Sequence, residues 1–373
     1  MKQSHFSNVI ILTVLMFTGI AKAESIKIYI ATNGDDQNSG ETATQAFKTI
    51  AQAQENLKNR TSLKPGDNIE ILFQKGVYLN QSVIWDIDLD SVNFYFKPAT
   101  AEDVPVIFDG RDSKVSNFFT VRYADEKYKN KKISTNLHFD RIVVRNYCNG
   151  ISFGDAYSKA FINNNSVTNS TFAYIGSRYD SVYKKTDNID KPKGDCVAAI
   201  RTNKALFTKI QNNKFYKILN LPSSKTASNR YGPGSLHAIY LSQHSSNTII
   251  QNNKFDTFSG TPIRIRNQSN DIKIINNSFQ NPFFWSTRNK PNANNKATNM
   301  EAISQWYCND SVEKCVRLTR MDECLSTGIE ISNNKFGASL IPYANVAQNH
   351  KCVEKIPTLN KAFNTPGEVI LKN

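Results

Sequence analysis

Apolar and polar residues alternate in many short runs along this chain, and several of the runs share a hexapeptide. The repeats are Ile-Gln-Asn-Asn-Lys-Phe215, Ile-Gln-Asn-Asn-Lys-Phe255, Ile-Ile-Asn-Asn-Ser-Phe279 and Ile-Ser-Asn-Asn-Lys-Phe336, with Val-Thr-Asn-Ser-Thr-Phe172 as a looser copy. Alternation is the periodicity of a β-strand. Recurrence of one unit is typical of a solenoid, in which each unit buries its apolar face against its neighbours. The pattern therefore predicts stacked coils of short strands.

A second short strand precedes each repeat. Ile239 and Ile263 each lie sixteen residues before a repeat phenylalanine, and Ile200 lies fifteen before one. Phe255 and Phe279 are 24 residues apart, which is about one turn of a three-sided parallel coil. We expect the repeat phenylalanines to form one internal row. We also expect the first asparagines of the pairs to stack in a hydrogen-bonded ladder; these are Asn212, Asn252, Asn276 and Asn333.

The beginning of the chain carries further motifs in a characteristic order. They are Ile28-Tyr-Ile-Ala-Thr-Asn-Gly-Asp35, Phe47-Lys-Thr-Ile50, Lys64-Pro-Gly-Asp-Asn-Ile69 and Gly76-Val-Tyr78. Together with the repeats, this order resembles the right-handed parallel β-helix proteins of the pectin-lyase-like superfamily. The resemblance implies an all-β solenoid with long loops on one edge. Apolar spacing over 45–59 predicts an amphipathic helix that caps the open end of the coil.

The first 23 residues have the pattern of a secretion signal. A basic residue, Lys2, is followed by the apolar stretch 9–20 and by Ala21-Lys22-Ala23, a small-x-small cleavage site. The apolar stretch is too short to span a bilayer, so we expect no membrane anchor after cleavage. Residues 24–373 are predicted to form a single β-helix domain, with coils over about 26–340 and a C-terminal extension over 341–373. We expect a secreted or periplasmic protein.

The net charge of the chain indicates which class of molecule it binds. The chain has 46 basic and 32 acidic residues; without the leader's Lys2 and Lys22, 44 basic residues face 32 acidic ones, a net charge of +12. A surplus of positive charge favours binding to a polyanion. Because the protein is expected to be exported, nucleic acid is the least favoured polyanion. Basic residues are spread along the chain, which disfavours a membrane-binding helix. The expected partner is an acidic polysaccharide, bound by a monomer.

Six cysteines in an exported chain indicate disulfides. The alignment of the repeats brings the segments around Cys148 and Cys196 together, so a bridge between these two is expected. The remaining four are expected to pair among themselves; they are Cys308, Cys315, Cys324 and Cys352.

If the strand isoleucines point inward, their neighbours point outward. The first outward column then reads Arg201, Tyr240, Arg264 and Ser304, and the second reads Asn203, Ser242, Arg266 and Trp306. Insertions over 173–196, 216–236 and 280–300 follow a repeat phenylalanine and should emerge at one edge as the wall of a groove. Arginines bind carboxylates and aromatic rings stack on sugars. The predicted substrate-binding residues are Arg201, Arg266, Trp306, Tyr231 and Arg230.

Cleavage of a uronate polymer by β-elimination requires neutralisation of a carboxylate, a base for the C5 proton and an acid for the departing O4. The predicted catalytic residues are His237 as base, Tyr240 as acid or as a shared acid and base, and Arg264, with Arg201, on the carboxylate. A lone histidine at a strand start is also a common structural residue, and His244, which lies past the strand, is expected in an exposed loop. The most favoured function is therefore a secreted polysaccharide lyase.

Other activities of this superfamily stay open. A glycoside hydrolase needs two facing carboxylates, yet no aligned outward position holds Asp or Glu; Glu301 lies at a strand start, and Asp155 and Asp195 flank strands. Calcium-dependent lyases need an acidic cluster, so calcium is not indicated and no cofactor is expected. A C5-epimerase and a non-catalytic glycan-binding adhesin remain alternatives.

Overall fold

Short parallel strands wind into a right-handed β-helix in the computed structural model of the protein, as the repeats predicted. The structure describes residues 25–100, 105–110, 117–176, 196–220, 233–283, 300–306, 325–345 and 370–372. Each full coil passes through three sheets in turn, and the coil axis runs across the strands of all three. The chain is therefore an all-β solenoid.

The first sheet contains ten strands among the described residues. In spatial order they are β1 (Ser25–Ile30), β2 (Asn68–Phe73), β5 (Asn93–Pro98), β9 (Leu137–Asp140), β13 (Ser166–Thr168), β17 (Lys209–Gln211), β20 (Thr248–Gln251), β23 (Ile272–Ile275), β26 (Ile329–Ser332) and β29 (Ile370–Lys372).

The second sheet carries the repeat phenylalanines. In coil order its described strands are β3 (Gly76–Leu79), β6 (Val106–Asp109), β10 (Ile142–Arg145), β14 (Thr171–Ile175), β18 (Lys214–Ile218), β21 (Lys254–Phe258), β24 (Ser278–Pro282) and β27 (Lys335–Phe336).

The third sheet carries the outward arginines. In coil order its described strands are β4 (Val83–Trp85), β7 (Asn117–Val121), β11 (Asn149–Phe153), β15 (Ala198–Asn203), β19 (His237–Ser242), β22 (Ile263–Arg266), β25 (Glu301–Trp306) and β28 (Ile341–Asn345). A small fourth sheet is formed by β8 (Lys132–Ser134), β12 (Phe161–Asn163) and β16 (Ala205–Leu206).

One α-helix, α1 (Ile50–Lys58), packs against the first coil and lies within the amphipathic segment predicted over 45–59, beginning five residues later than predicted. Ile50, Ala53 and Leu57 face the core and are fully buried, while Thr49 caps the first turn by accepting a hydrogen bond from the Gln52 N–H. Short 3-10 turns occupy Ala43–Gln45, Glu126–Tyr128 and Pro233–Ser235. No helix within the described ranges is long and apolar enough to cross a membrane.

The repeat phenylalanines form a continuous stack inside the coil. Ring centroids along the row lie 5.3, 4.8, 4.7 and 5.2 Å apart, with interplanar angles of 12° or less. The row consists of Phe172, Phe215, Phe255, Phe279 and Phe336. The spacing follows from the strand separation of about 4.8 Å, because residues in register lie one strand apart. The predicted internal row is confirmed.

The asparagine ladder exists, but we predicted it from the wrong asparagine of each pair. The first members, such as Asn212 and Asn252, adopt positive φ angles of 59° and 57° and turn the chain, a conformation that asparagine tolerates better than most residues. The second members are buried and linked: Oδ1 of Asn253 accepts the Asn213 N–H at 2.9 Å, and Oδ1 of Asn277 accepts the Asn253 N–H at 2.9 Å. The ladder is Asn213, Asn253, Asn277 and Asn334.

Strands beyond residue 340 continue the sheets. β28 pairs with β25 and β29 pairs with β26, so the coils run further than the predicted boundary near 340. The single-domain division of residues 24–373 stays a prediction, and the predicted leader over 1–23 lies outside the described residues.

The expected bridge between Cys148 and Cys196 is present, with an S–S distance of 2.00 Å and a Cα–Cα distance of 4.8 Å. It joins the residue directly before β11 to a residue just before β15. The bridge is compatible with an exported protein. The other four cysteines lie outside the described ranges.

Candidate functional site

The outer face of the third sheet brings the predicted arginines and tyrosine into one column. Arg201 on β15 is in register with Tyr240 on β19, and Tyr240 is in register with Arg264 on β22. Beyond these, Ser152 lies next to Arg201 and Ser304 next to Arg264. With strands about 4.8 Å apart, Arg201 and Arg264 flank Tyr240 on a surface about 10 Å long.

A second column runs beside the first. Arg266 ends β22, and its Nη1 donates a hydrogen bond of 3.1 Å to the phenol oxygen of Tyr240. Because the phenol oxygen accepts this bond, its own O–H is left to donate elsewhere. Trp306 is in register with Arg266 on the next strand. The phenol of Tyr240 therefore lies among the side chains of three arginines.

His237, at the start of β19, is brought to the same place. Its ring lies 5.3 Å from the ring of Tyr240, and its Nδ1 is 2.7 Å from the carbonyl oxygen of Thr261. Since a carbonyl can only accept, Nδ1 carries the proton and Nε2 keeps its lone pair. Only 5% of the residue is exposed. Burial, together with Arg264 and Arg266, lowers the pKa of His237 well below its usual value, so the imidazole is neutral near pH 7.

Arg264 lies between Tyr240 and Ser304, and part of its guanidinium is unsatisfied. Its Nε is out of contact with solvent and has no hydrogen-bond partner among the described residues, although the residue as a whole is partly exposed. Burial lowers the pKa of Arg264, while Tyr240 and Glu301 raise it. A buried guanidinium nitrogen without a hydrogen-bond partner is unusual, because native structures satisfy most buried polar groups. The Nε of Arg264 can therefore bind an anion without losing an existing hydrogen bond.

Two residues that the sequence analysis did not assign support His237. Thr261 and Glu301 occupy the same register position as His237 on the next two coils, as the pairs Ile239–Ile263 and Ile263–Ile303 show. The Thr261 hydroxyl donates to Oε2 of Glu301 at 3.1 Å, while the Thr261 carbonyl accepts from His237. The repeat alignment placed Glu301 at a strand start; extending it to the residue two before Ile263 would have found Thr261.

The insertions leave the coil where the sequence analysis expected. Each one connects the second sheet to the third, from β14 to β15, from β18 to β19 and from β24 to β25, so their ends lie at one edge of the third sheet. Most of their residues, including Arg230 and Tyr231, lie outside the described ranges. Trp306 is placed by its strand, but its side chain is likewise not described. The roles of these three residues stay predictions.

One expectation near the site is corrected. His244 was expected in an exposed loop, but it is 7% exposed, its ring lies 6.3 Å from that of Phe161, and burial followed by Lys204 lowers its pKa to about 4. Asp155 flanks a strand, as the sequence indicated. Its Oδ2 binds Nε of Arg122 at 2.7 Å and its Oδ1 accepts the Tyr157 N–H at 3.0 Å, so it stabilises a turn.

Within the described parts of the chain, no group of three or more His, Cys, Asp and Glu side chains is arranged to hold a metal ion. The described face of the third sheet presents arginines, hydroxyls and a phenol instead. A reaction that needs no resident cofactor remains the expectation.

Comparison with known proteins gives likenesses in structure alone. No protein-family profile and no curated protein sequence matches the chain. The structure of pectate lyase Pel9A is similar over 77% of this chain and 62% of its own, at 11% identity and a TM-score of 0.45. This chain thus spans less than two thirds of that protein. XylC in complex with xylose is similar over 84% of this chain and 70% of its own, at 11% identity and a TM-score of 0.36.

A rhamnogalacturonan lyase is similar over 70% of this chain and 86% of its own, at 12% identity and a TM-score of 0.24. Such values carry no argument about substrate or reaction. The coil itself, with its three parallel sheets, internal phenylalanine row and capping helix, rests on the strand pairing described above. By its fold the chain is a right-handed parallel β-helix protein.

Proposed function

We propose that this protein is an exported polysaccharide lyase that cleaves an acidic, uronate-containing polysaccharide by β-elimination. The observation that carries the proposal is the cluster on the third sheet: a neutral histidine and a tyrosine are surrounded by three arginines. These are the groups that the reaction needs, and they lie on one face of three successive strands.

Carboxylate recognition comes first in this mechanism. Arg264 and Arg201 flank the phenol on the two neighbouring strands. The guanidinium group of Arg264 binds the uronate carboxylate, and Arg201 adds positive charge from the other side of Tyr240, which makes the C5 proton more acidic. Since the Nε of Arg264 has no partner among the described residues, binding the carboxylate there breaks no existing hydrogen bond of that atom.

His237 is then the base. Its protonated Nδ1 is held by the Thr261 carbonyl, so Nε2 takes the C5 proton. The electron pair of the C5–H bond becomes the C4–C5 double bond as the C4–O4 bond breaks. Tyr240 donates its phenol proton to the departing O4, and Arg266, which donates to the phenol oxygen, holds the ring in place. The products are a shortened chain and an unsaturated uronate.

The test combines substitution with a product assay on a panel of acidic polysaccharides. His237→Ala and Tyr240→Phe should each lower turnover by about 10²–10⁴-fold, measured in protein whose circular dichroism shows the native fold. In the wild-type enzyme, kcat/KM should persist at pH values below the ordinary histidine pKa and fall only as pH passes the lowered pKa of His237, because the base must be neutral.

The ultraviolet absorbance of the unsaturated product separates the alternatives. A hydrolase releases reducing ends without this absorbance, an epimerase changes the polymer without shortening it, and a binding protein does neither. Near-full turnover in both variants would overturn the residue assignment. Equal retention of neutral and acidic polysaccharides by the wild-type protein would overturn the substrate class.

A further inference from the structure

Ser304 lies next to Arg264 on the outer column of the third sheet, and both side chains have unsatisfied hydrogen-bonding atoms. The two residues are in register on β22 and β25. Ser304 is 1% exposed, and its Oγ has no hydrogen-bond partner among the described residues. The Nε of Arg264 is also buried and has no hydrogen-bond partner among the described residues. Two neighbouring buried polar atoms without partners are rare, because native structures satisfy most such groups.

We propose that Arg264 and Ser304 together form the binding seat for the substrate carboxylate, and that Ser304 is a specificity-determining residue for uronate over neutral sugar. This inference rests on the proposed function and adds a residue to it. The Nε–H and the hydroxyl are two adjacent donors, and a carboxylate offers two oxygens that can each accept one of them. A neutral sugar carries no such group at this position.

Charge around the seat favours a carboxylate over a dianion. Glu301 lies close enough to Arg264 to raise its pKa, so the local positive charge is partly offset. The Oε2 of Glu301 already accepts from Thr261, which holds the carboxylate side chain beside the seat. A singly charged, planar group therefore fits the charge and the number of donors.

Ser152 provides a matched control. It occupies the same outward column two coils before Tyr240, and it adjoins Arg201 as Ser304 adjoins Arg264. It is also buried, but its hydroxyl donates to the Gly154 carbonyl at 2.7 Å. The two serines thus share a face and an arginine neighbour and differ in whether the hydroxyl is already satisfied.

The experiment measures binding by calorimetry in full-length protein that carries His237→Ala. The probes are oligomers of galacturonate, mannuronate, guluronate and the glucuronate-containing glycosaminoglycans, and the best binder is compared with its carboxyl-reduced form. Ser304→Ala should weaken binding of the acidic probe by about 10–100-fold, the loss of one hydrogen bond to a charged group. Ser152→Ala should change it by no more than about 2-fold. Arg264→Lys, which keeps the charge but removes Nε–H, should weaken binding as Ser304→Ala does.

The carboxyl-reduced probe should bind weakly and equally to all of these proteins. Equal affinity of Ser304→Ala and Ser152→Ala for the acidic probe would overturn the proposal, as would an equal loss on the reduced probe, which would make the hydroxyl a structural group. Failure of every acidic probe to bind would also overturn it. Because binding is read without cleavage, a protein that binds uronate through Ser304 but forms no unsaturated product would sustain the seat and refute the lyase.

Discussion

The inside of the second sheet and the outside of the third sheet belong to the same coils but follow opposite rules. Inside, the same residue recurs from coil to coil: phenylalanine stacks on phenylalanine at 4.7–5.3 Å, and asparagine bonds to asparagine at 2.8–3.0 Å. Outside, one column changes at every step, from Ser152 to Arg201, Tyr240, Arg264 and Ser304.

The difference separates the requirements of folding from those of chemistry. A stacked row gains from identical neighbours, because equal rings and equal amides fit one strand spacing. A binding surface gains from unlike neighbours, because an acid, a base and a cation must meet at one point. Repetition in this chain therefore marks what holds the coil together, and a break in repetition marks the candidate site.

The largest effect is expected in the phenylalanine row. Phe255→Ala should lower the free energy of unfolding by about 3–5 kcal/mol, because Phe255 is 1% exposed and stacks on rings from both sides. Urea unfolding measures the change. Phe207→Ala is the control, since Phe207 is 52% exposed and its loss should cost little. Comparable losses in the two variants would remove the distinction between the internal row and the surface.

A smaller effect should separate two neighbouring asparagines. Asn253→Ala should lower the free energy of unfolding by about 3 kcal/mol, because it leaves buried partners without their bonds; Nδ2 donates to the Ile210 carbonyl and Oδ1 accepts from Asn213. Asn252→Gly should change stability by no more than about 0.5 kcal/mol, since its φ of 57° suits glycine. Urea unfolding measures both variants. A larger loss of stability in Asn252→Gly than in Asn253→Ala would contradict the assignment of the ladder.

The smallest effect concerns His244, which follows the strand of Tyr240 and is buried next to Phe161. Its pKa is lowered from 6.5 to about 4, so the unfolded chain binds more protons than the folded one between these values. The contribution of His244 to the free energy of unfolding is therefore fully present above about pH 6.5 and is lost as the pH falls towards 4. At pH 5 the loss should be about 2 kcal/mol. His244→Asn suits the φ of 64° and should flatten this part of the stability curve; an unchanged slope would show that His244 does not cause it.

The coil could be predicted from the sequence because its signals are local and repeated. The phenylalanine row, the capping helix and the Cys148–Cys196 bridge all followed from spacing. The register of the outer column followed as well, since it is fixed once the isoleucines point inward. Spacing could not tell which asparagine of each pair turns the chain and which is buried, because both members have the same side chain and only the backbone angles distinguish them.

Burial at the site was beyond the sequence for a different reason. His237, His244 and Ser304 are all buried, and such burial depends on the packing of other coils, which spacing along the chain does not reveal. Hydrogen bonds such as the one from His237 to the Thr261 carbonyl involve backbone atoms. Because every residue has a backbone carbonyl, the residue type does not predict such a bond. Candidate side chains can thus be found by alignment, whereas their protonation and their unsatisfied atoms require the folded chain.

The shortest repeat, 24 residues from Phe255 to Phe279, has a further consequence for how such a protein can change. Its two ends carry the same ladder residues, Asn253 and Asn277, and only a short turn joins β21 to β22. A duplicated copy would join both neighbours through the same bonds and would lengthen the outer face by one strand spacing of about 4.8 Å. The number of coils therefore sets the length of the outer face, and with it the length of polysaccharide that the proposed site would contact.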